Sequence, residues 1–137
     1  MMRPGRRASI DPAGVRAREA RARGFLQIAD LAIEDGSDAL RAVAVSNAVL
    51  AGIAASDAIC GHLLGEHAQG DDHVAAVAVI KQALGVSGAD LARDLQRLLA
   101  AKTPTQYGTQ RISPTEAAQH LERARRLVDA AAAQLRR

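Results

Sequence analysis

Residues Ser37 to Leu64 have the sequence SDALRAVAVSNAVLAGIAASDAICGHLL, and the other helices are expected to pack around this segment. Between Arg41 and Asp57 it carries no charge, and nearly every residue is alanine, valine, leucine, isoleucine or glycine. A helix formed here has no polar face, so other helices must surround it. A membrane span needs about 20 mostly large apolar residues, whereas this stretch is rich in alanine, serine and asparagine. We therefore predict the central helix of a bundle.

Helix starts flank this stretch on both sides. Asp11 before Pro12 and Ser113 before Pro114 are typical first residues of helices, because the side-chain oxygen accepts backbone N–H groups and proline is tolerated in the first turn. Apolar residues then recur at spacings of three and four. The predicted fold class is all-α: an up-and-down bundle of four to five helices with the apolar second helix at its centre.

The remaining segments are predicted to connect the helices. We expect a loop over residues 65–70 and a non-helical connection over residues 102–113, where Pro104 blocks continuation of the helix. No segment shows a strand pattern. Residues 1–10 are predicted to be a disordered basic tail, and residues 11–137 a single helical-bundle domain.

The composition limits the core and the chemistry. Hydrophobic residues make up 48% of the chain but aromatic residues only 1%, so each protomer buries little area, which favours a homodimer or another partner. We expect Cys60 to be a buried hydrophobic residue, because reactive thiols need an electropositive, partly exposed setting. The basic residues at the start precede no apolar run typical of a secretory signal, so the predicted location is cytoplasmic.

Arginines are concentrated in residues 1–23 and 123–137, although the net charge is only +3. In an up-and-down bundle of four helices these two segments meet, so we expect a basic end that attracts phosphates. The alternative is a pair of solvated tails, because no aromatic residues interleave for base stacking. The candidate phosphate-binding residues are Arg123, Arg126, Arg136 and Arg137.

Two polar residues interrupt the apolar helix, and a buried polar group needs a partner. For Asn47 we favour a structural hydrogen bond. For Asp57 we favour a salt bridge to an arginine or a capping role, with a functional role as the alternative.

Histidines are the other candidates for chemistry, since three of the four lie between residues 62 and 73. Their spacing matches no standard metal motif, so we predict no metal and no cofactor. We favour solvated loop residues, with His73 in the first turn of the third helix. Neither a nucleophile elbow nor a phosphate-binding glycine loop is present in the sequence.

Two segments together resemble the HEPN superfamily of small bacterial helical bundles. The first segment resembles the family's apolar second helix and the histidine-bearing start of its next helix. Its sequence is AVSNAVLAGIAASDAICGHLL followed by DDHVAAV. KTPTQYG followed by ISPTEAAQHLERARRLVDAA resembles its basic residue and tyrosine before the last helix. The resemblance spans residues 25–133. It implies an up-and-down bundle that commonly dimerises, and many members are metal-independent ribonucleases, some paired with nucleotidyltransferases.

The ribonucleases of that family carry an arginine followed after four to six residues by a histidine, and no histidine of this chain follows an arginine at that spacing. The resemblance therefore implies a non-catalytic, dimeric binding module rather than an enzyme. Its implied partners are a nucleotidyltransferase-like protein in a stress, defence or toxin–antitoxin pair, and RNA or a nucleotide, but no membrane. The candidate cleft residues are Asn47, Asp57, His73, Lys102 and Tyr107.

Two alternatives remain open. One is a metal-independent ribonuclease with a different active site, for example His73 with Arg97 or Lys102 across a dimer. The other is a basic helical protein that binds nucleic acid.

Overall fold

A computed structural model describes residues 6–70, 73–107 and 111–137, without the side chains of residues 103–107. Within these ranges the chain forms five α-helices, one 3₁₀ turn and two short strands, so the predicted all-α bundle is confirmed. In chain order the elements are β1 (Arg7–Ser9), α1 (Pro12–Ile33), α2 (Asp38–Leu64), β2 (Glu66–Ala68), α3 (His73–Leu84), the 3₁₀ turn Gly85–Gly88, α4 (Ala89–Tyr107) and α5 (Pro114–Leu135).

The apolar helix α2 lies at the centre, as predicted, and packs against α1, α3, α4 and α5. Val45 and Ile59 are fully buried in the core, while Leu50 and Ile53 are half-buried. A Cβ atom added at Gly52 would lie 2.6 Å from Leu98 Cδ1. The small residues of α2 therefore let the neighbouring helix come into close contact.

Two segments, Asp38–Leu64 and His73–Lys102, are long and apolar enough to cross a membrane by length and composition alone. Most of the first segment is buried inside the fold, as expected for the core helix of a bundle, and about a fifth of the second is buried.

The predicted helix starts are confirmed by their hydrogen bonds. The side chain of Asp11 accepts the N–H of Gly14 at 2.7 Å, and Ser113 Oγ accepts the N–H of Glu116 at 3.1 Å. Ser37 caps α2 in the same way. These side chains satisfy backbone donors that have no partner within the first turn of a helix.

The prediction that the chain contains no strand is wrong. Strand β1 pairs antiparallel with β2, with Ala8 opposite His67, and the backbone of Ile10 donates to the carbonyl of Gly65 at 3.0 Å. The strands thus join a segment predicted to be a disordered tail to one predicted to be a loop. Three residues are too few to show an alternating pattern, and the pairing is non-local. Residues 1–5 lie outside the described residues.

The predicted start of the connection after α4 is also wrong, because the helix continues through Pro104 to Tyr107. A proline removes one intrahelical hydrogen bond, and this one lies in the last turn, where a single lost bond does not end the helix. Residues 108–110 of the predicted connection lie outside the described residues.

Helices α1 and α5 run antiparallel. Arg125 Nη2 on α5 lies 2.7 Å from Asp30 Oδ1 in the second half of α1, while the start of α1 and the end of α5 line one cavity. The two arginine-rich segments therefore meet at one end of the bundle, as the up-and-down topology predicts.

Candidate functional site

A cavity of about 510 Å³ lies on one side of α2 and brings together groups that are distant in the sequence. Three of the five predicted cleft residues line it: Asp57, His73 and Lys102. Arg18 and His67 line it as well, and we name it the Asp57 cavity. Its apolar wall includes Leu50, Ile53, Ala76 and Leu99.

The five charged or imidazole side chains of the Asp57 cavity among the described residues come from five different elements. The α1–α2 hairpin places Arg18 beside Asp57, and the pairing of β2 with β1 holds His67 against the bundle. His73 is the first residue of α3, as predicted, and Lys102 lies in the last third of α4. The site therefore depends on the tertiary fold rather than on a local motif.

Asp57 forms the salt bridge with an arginine that we favour from the sequence. Arg18 Nη1 donates to Asp57 Oδ2 at 2.8 Å. His67 Nδ1 lies 3.6 Å from the other carboxylate oxygen and 2.7 Å from the carbonyl oxygen of Ala68. Because a carbonyl only accepts, Nδ1 carries the proton of that hydrogen bond.

The acidity of Asp57 is unusual for a carboxyl group. Burial raises its pKa from 3.8 to about 6, and the nearby charges of His67 and Arg18 offset only part of that increase. Asp57 therefore exchanges its proton near neutral pH, which is the range useful for a binding or catalytic group.

His73 has an unsatisfied polar atom. Of the buried side-chain nitrogen and oxygen atoms in the part of the chain that the structure describes, only His73 Nε2 has no hydrogen-bond partner. Buried polar atoms in folded proteins are normally paired, so such an atom calls for an explanation. A bound ligand is one explanation that also fits the cations nearby.

Of the other two predicted cleft residues, Asn47 does not line the cavity. Asn47 Nδ2 donates to the carbonyl of Val43 at 2.9 Å, which confirms the predicted structural hydrogen bond and ties Asn47 to its own helix. The side chain of Tyr107 lies outside the described residues.

The four predicted phosphate-binding arginines lie in two places, because Arg123 and Arg126 line one pocket on α5 while Arg136 and Arg137 follow the end of that helix. Both Arg126 Nε and Nη2 donate to the Asp94 carboxylate at 2.8 Å, and Arg123 Nη1 donates to His120 Nδ1 at 3.2 Å. Arg136 lines the cavity at the end of the bundle, about 20 Å further along α5, and Arg137 is exposed. They do not form one patch.

Arg97, the alternative partner proposed for His73, lies near Arg123 instead. Burial lowers the pKa of Arg123, and the like charge of Arg97 lowers it further. Lys102, by contrast, shares a cavity with His73 within a single protomer.

Cys60 is buried and free, as predicted. Burial raises the pKa of its thiol to about 12. A hydrogen bond with Ser56 lowers this pKa, and the negative charge of Asp57 raises it. A thiol with this pKa is almost entirely protonated at neutral pH, which fits the expected role of Cys60 as a buried hydrophobic residue.

Sequence reasoning missed Arg18 and His67. Arg18 is one of many arginines in its segment, and only its place beside the apolar stripe of α1 marks it. His67, predicted to be solvated, is buried because β2 pairs with β1. No group of three metal-ligating side chains that could hold a metal ion occurs among the described residues.

The chain matches no protein-family model and no curated protein. The resemblance to the HEPN superfamily stays a prediction.

Proposed function

We propose that the protein is a non-catalytic binding module that holds the phosphate group of a nucleotide or of an RNA end in the Asp57 cavity. The observation that carries this proposal is the unpartnered Nε2 of His73, a residue that lines the same cavity as Arg18 and Lys102. A phosphate oxygen would accept a hydrogen bond from that imidazole and from both cations.

The charges of the cavity favour an anion. Among the described lining residues, Arg18 and Lys102 are the cations and Asp57 is the carboxylate, and burial raises the pKa of Asp57 to about 6. Arg18 uses one N–H of its guanidinium on Asp57, and a guanidinium has five such donors. The remaining donors are available to a second anion.

The apolar wall favours a nucleotide over inorganic phosphate. Leu50 and Ile53 of α2 and Leu99 of α4 form an aliphatic surface next to the charged groups. A ligand pocket of this kind combines apolar lining with a few placed polar groups. A sugar or base would cover the wall while the phosphate contacts the cations.

Calorimetric titration with AMP tests the proposal, with adenosine as the ligand that lacks phosphate. We expect AMP to bind at least about 10-fold more tightly than adenosine, because each charged hydrogen bond contributes more than about 1.4 kcal/mol. Lys102→Gln and His73→Gln should each weaken AMP binding about 10-fold.

The matched control is Lys81→Gln, which removes an exposed lysine of α3 that does not line the Asp57 cavity. Its affinity for AMP should stay within about 2-fold of the wild-type value. Melting curves of all variants establish that they are folded. Equal affinities for AMP and adenosine, or equal losses in Lys81→Gln and Lys102→Gln, would contradict the proposal.

A second candidate is a metal-independent ribonuclease, which is favoured by the presence of two histidines in one cavity. His67 and His73 supply the imidazoles, the commonest general acids and bases, and Arg18 and Lys102 could stabilise the charge on a phosphate. Incubation of labelled RNA with the protein and EDTA separates the two functions. Cleavage that is lost in both His67→Gln and His73→Gln would replace the non-catalytic proposal with this one.

The homodimer rests on the resemblance and on the small core expected from the composition, and the nucleotidyltransferase-like partner rests on the resemblance alone. Sedimentation velocity measures the oligomeric state directly, and a single species of 14 kDa at high concentration would remove the dimer. The third possibility, a basic nucleic-acid-binding protein, predicts that affinity for nucleic acid falls steeply with added salt.

A further inference from the structure

A second cavity, of about 780 Å³, lies at the end of the bundle where α1 begins and α5 ends. Among the residues that the structure describes, it shares no lining residue with the Asp57 cavity. We name it the end cavity. Its size falls in the range of pockets that bind small organic ligands, about 300–1,000 Å³.

The floor of the end cavity is aliphatic. Val15 is buried there, and Ile10 and Leu135 are half-buried and contact the core. A Cβ atom at Gly61 would lie 2.6 Å from Ile10 Cγ2 and 2.7 Å from Val15 Cγ2, so the backbone of α2 packs closely against these side chains. The floor is therefore well packed and apolar.

Arginines surround this floor. Arg16, Arg23 and Arg136 line the end cavity and are exposed. Arg23 Nη2 lies 2.9 Å from the carboxylate of Glu19, which is buried, so this pair is neutral. Arg16 and Arg136 form no ion pair with any residue that the structure describes, so their guanidinium groups can pair with a bound anion.

We propose that the end cavity binds an anion with an aliphatic tail, such as a medium-chain carboxylate. The alkyl chain would cover the floor, where each buried CH₂ group contributes to affinity. The carboxylate would contact the guanidinium groups of Arg16 and Arg136, which match its geometry. A small anion would leave the floor uncovered, and a neutral alkyl chain would leave both arginines without a counter-ion.

Titration with octanoate below its micelle concentration, followed by calorimetry, tests this site. Octanoate should bind at least about 10-fold more tightly than butyrate, which has four fewer CH₂ groups, and more tightly than octyltrimethylammonium, which has the opposite charge. The double variant Arg16→Ala/Arg136→Ala should weaken octanoate binding about 10-fold. Leu135→Asn should weaken it by a similar factor through the floor.

The matched control is Arg21→Ala, which removes an exposed arginine of α1 that does not line the end cavity. Its affinity for octanoate should equal the wild-type value. The proposal is overturned if octanoate does not bind, if octyltrimethylammonium binds equally well, or if the double variant and Arg21→Ala behave alike. Because the two cavities are separate, AMP should leave octanoate binding unchanged, and each proposal can fail without the other.

Discussion

Asp57 and Asp94 are both buried carboxylates paired with an arginine from another helix, yet their surroundings differ. Asp94 receives two hydrogen bonds from one guanidinium, that of Arg126, and lies in the contact between α4 and α5. Asp57 receives one hydrogen bond from Arg18, and its second oxygen lies 3.6 Å from His67 in a cavity. Arg126 therefore pairs with both carboxylate oxygens of Asp94, whereas Arg18 pairs with only one oxygen of Asp57.

The difference shows what distinguishes a structural ion pair from a candidate site. A bidentate pair satisfies both oxygens, so nothing further is needed to offset the cost of burial. Asp57 is buried with fewer donors, and its pKa is raised to about 6 as a result. The feature in the same cavity that points to an anionic ligand is the unpartnered Nε2 of His73.

The largest expected effect concerns the pH dependence of stability. The folded-state pKa of Asp57 is about 6 against 3.8 for the unfolded value, so its contribution to stability is present at low pH and is lost as pH rises from about 4 to 6. Asp57→Asn removes this loss. We compare the unfolding free energy of the variant with that of wild type at each pH. This difference should be about 2–3 kcal/mol more favourable to the variant at pH 7 than at pH 4.

Urea denaturation at several pH values measures this difference. Among the described residues, Arg18 and His67 are the side chains in polar contact with Asp57, and both are retained in the variant. Asp94→Asn serves as the control. Because it retains Asp57, its unfolding free energy should show the same Asp57-dependent fall with rising pH as that of wild type. Parallel stability curves for wild type and Asp57→Asn would show that Asp57 is not the group responsible.

A smaller effect on stability is expected at the pair of Asp94 with Arg126. Asp94→Asn removes the charge that holds both guanidinium nitrogens of Arg126, and the unfolding free energy at pH 7 should fall by about 1–2 kcal/mol. The loss is limited because the Arg126 side chain is 56% exposed and can be solvated. Chemical denaturation at pH 7 measures it, and a variant as stable as wild type would mean that this pair is not structural.

The smallest effect is expected at His73. His73→Phe removes the unpartnered Nε2 and keeps a ring of similar shape, so the unfolding free energy should stay the same or rise by about 0.5–1 kcal/mol. Leu95→Ala, at a fully buried position of α4, is the contrasting control and should lower it by about 2–5 kcal/mol. A loss of more than about 1 kcal/mol in His73→Phe would indicate that His73 has a structural partner.

Much of the fold could be predicted because it follows from local patterns. The bounds of α2 follow from the cap at Ser37 and an apolar run up to Leu64, and its central place follows from the lack of a polar face. The start of α5 follows from Ser113 and Pro114. The strands could not be predicted, since Arg7–Ser9 and Glu66–Ala68 lie almost 60 residues apart and have no periodic pattern.

The candidate site was predictable in part. Asp57 stands out as a charge in an apolar helix, and His73 and Lys102 were singled out by the resemblance. His67 was missed because its burial depends on the strand pairing, and Arg18 because the sequence does not distinguish it from the neighbouring arginines of α1.

The pairing of Arg7–Ser9 with Glu66–Ala68 also has a practical consequence. Ala8 lines the Asp57 cavity from β1, and Ile10 lines the end cavity immediately after that strand. A shortened protein that begins at Asp11 would lack Ala8 in the Asp57 cavity and Ile10 in the end cavity. His67 would also lose its partner across the sheet. A shortened protein of that kind would give negative binding results for both cavities at once, even though all five helices were intact.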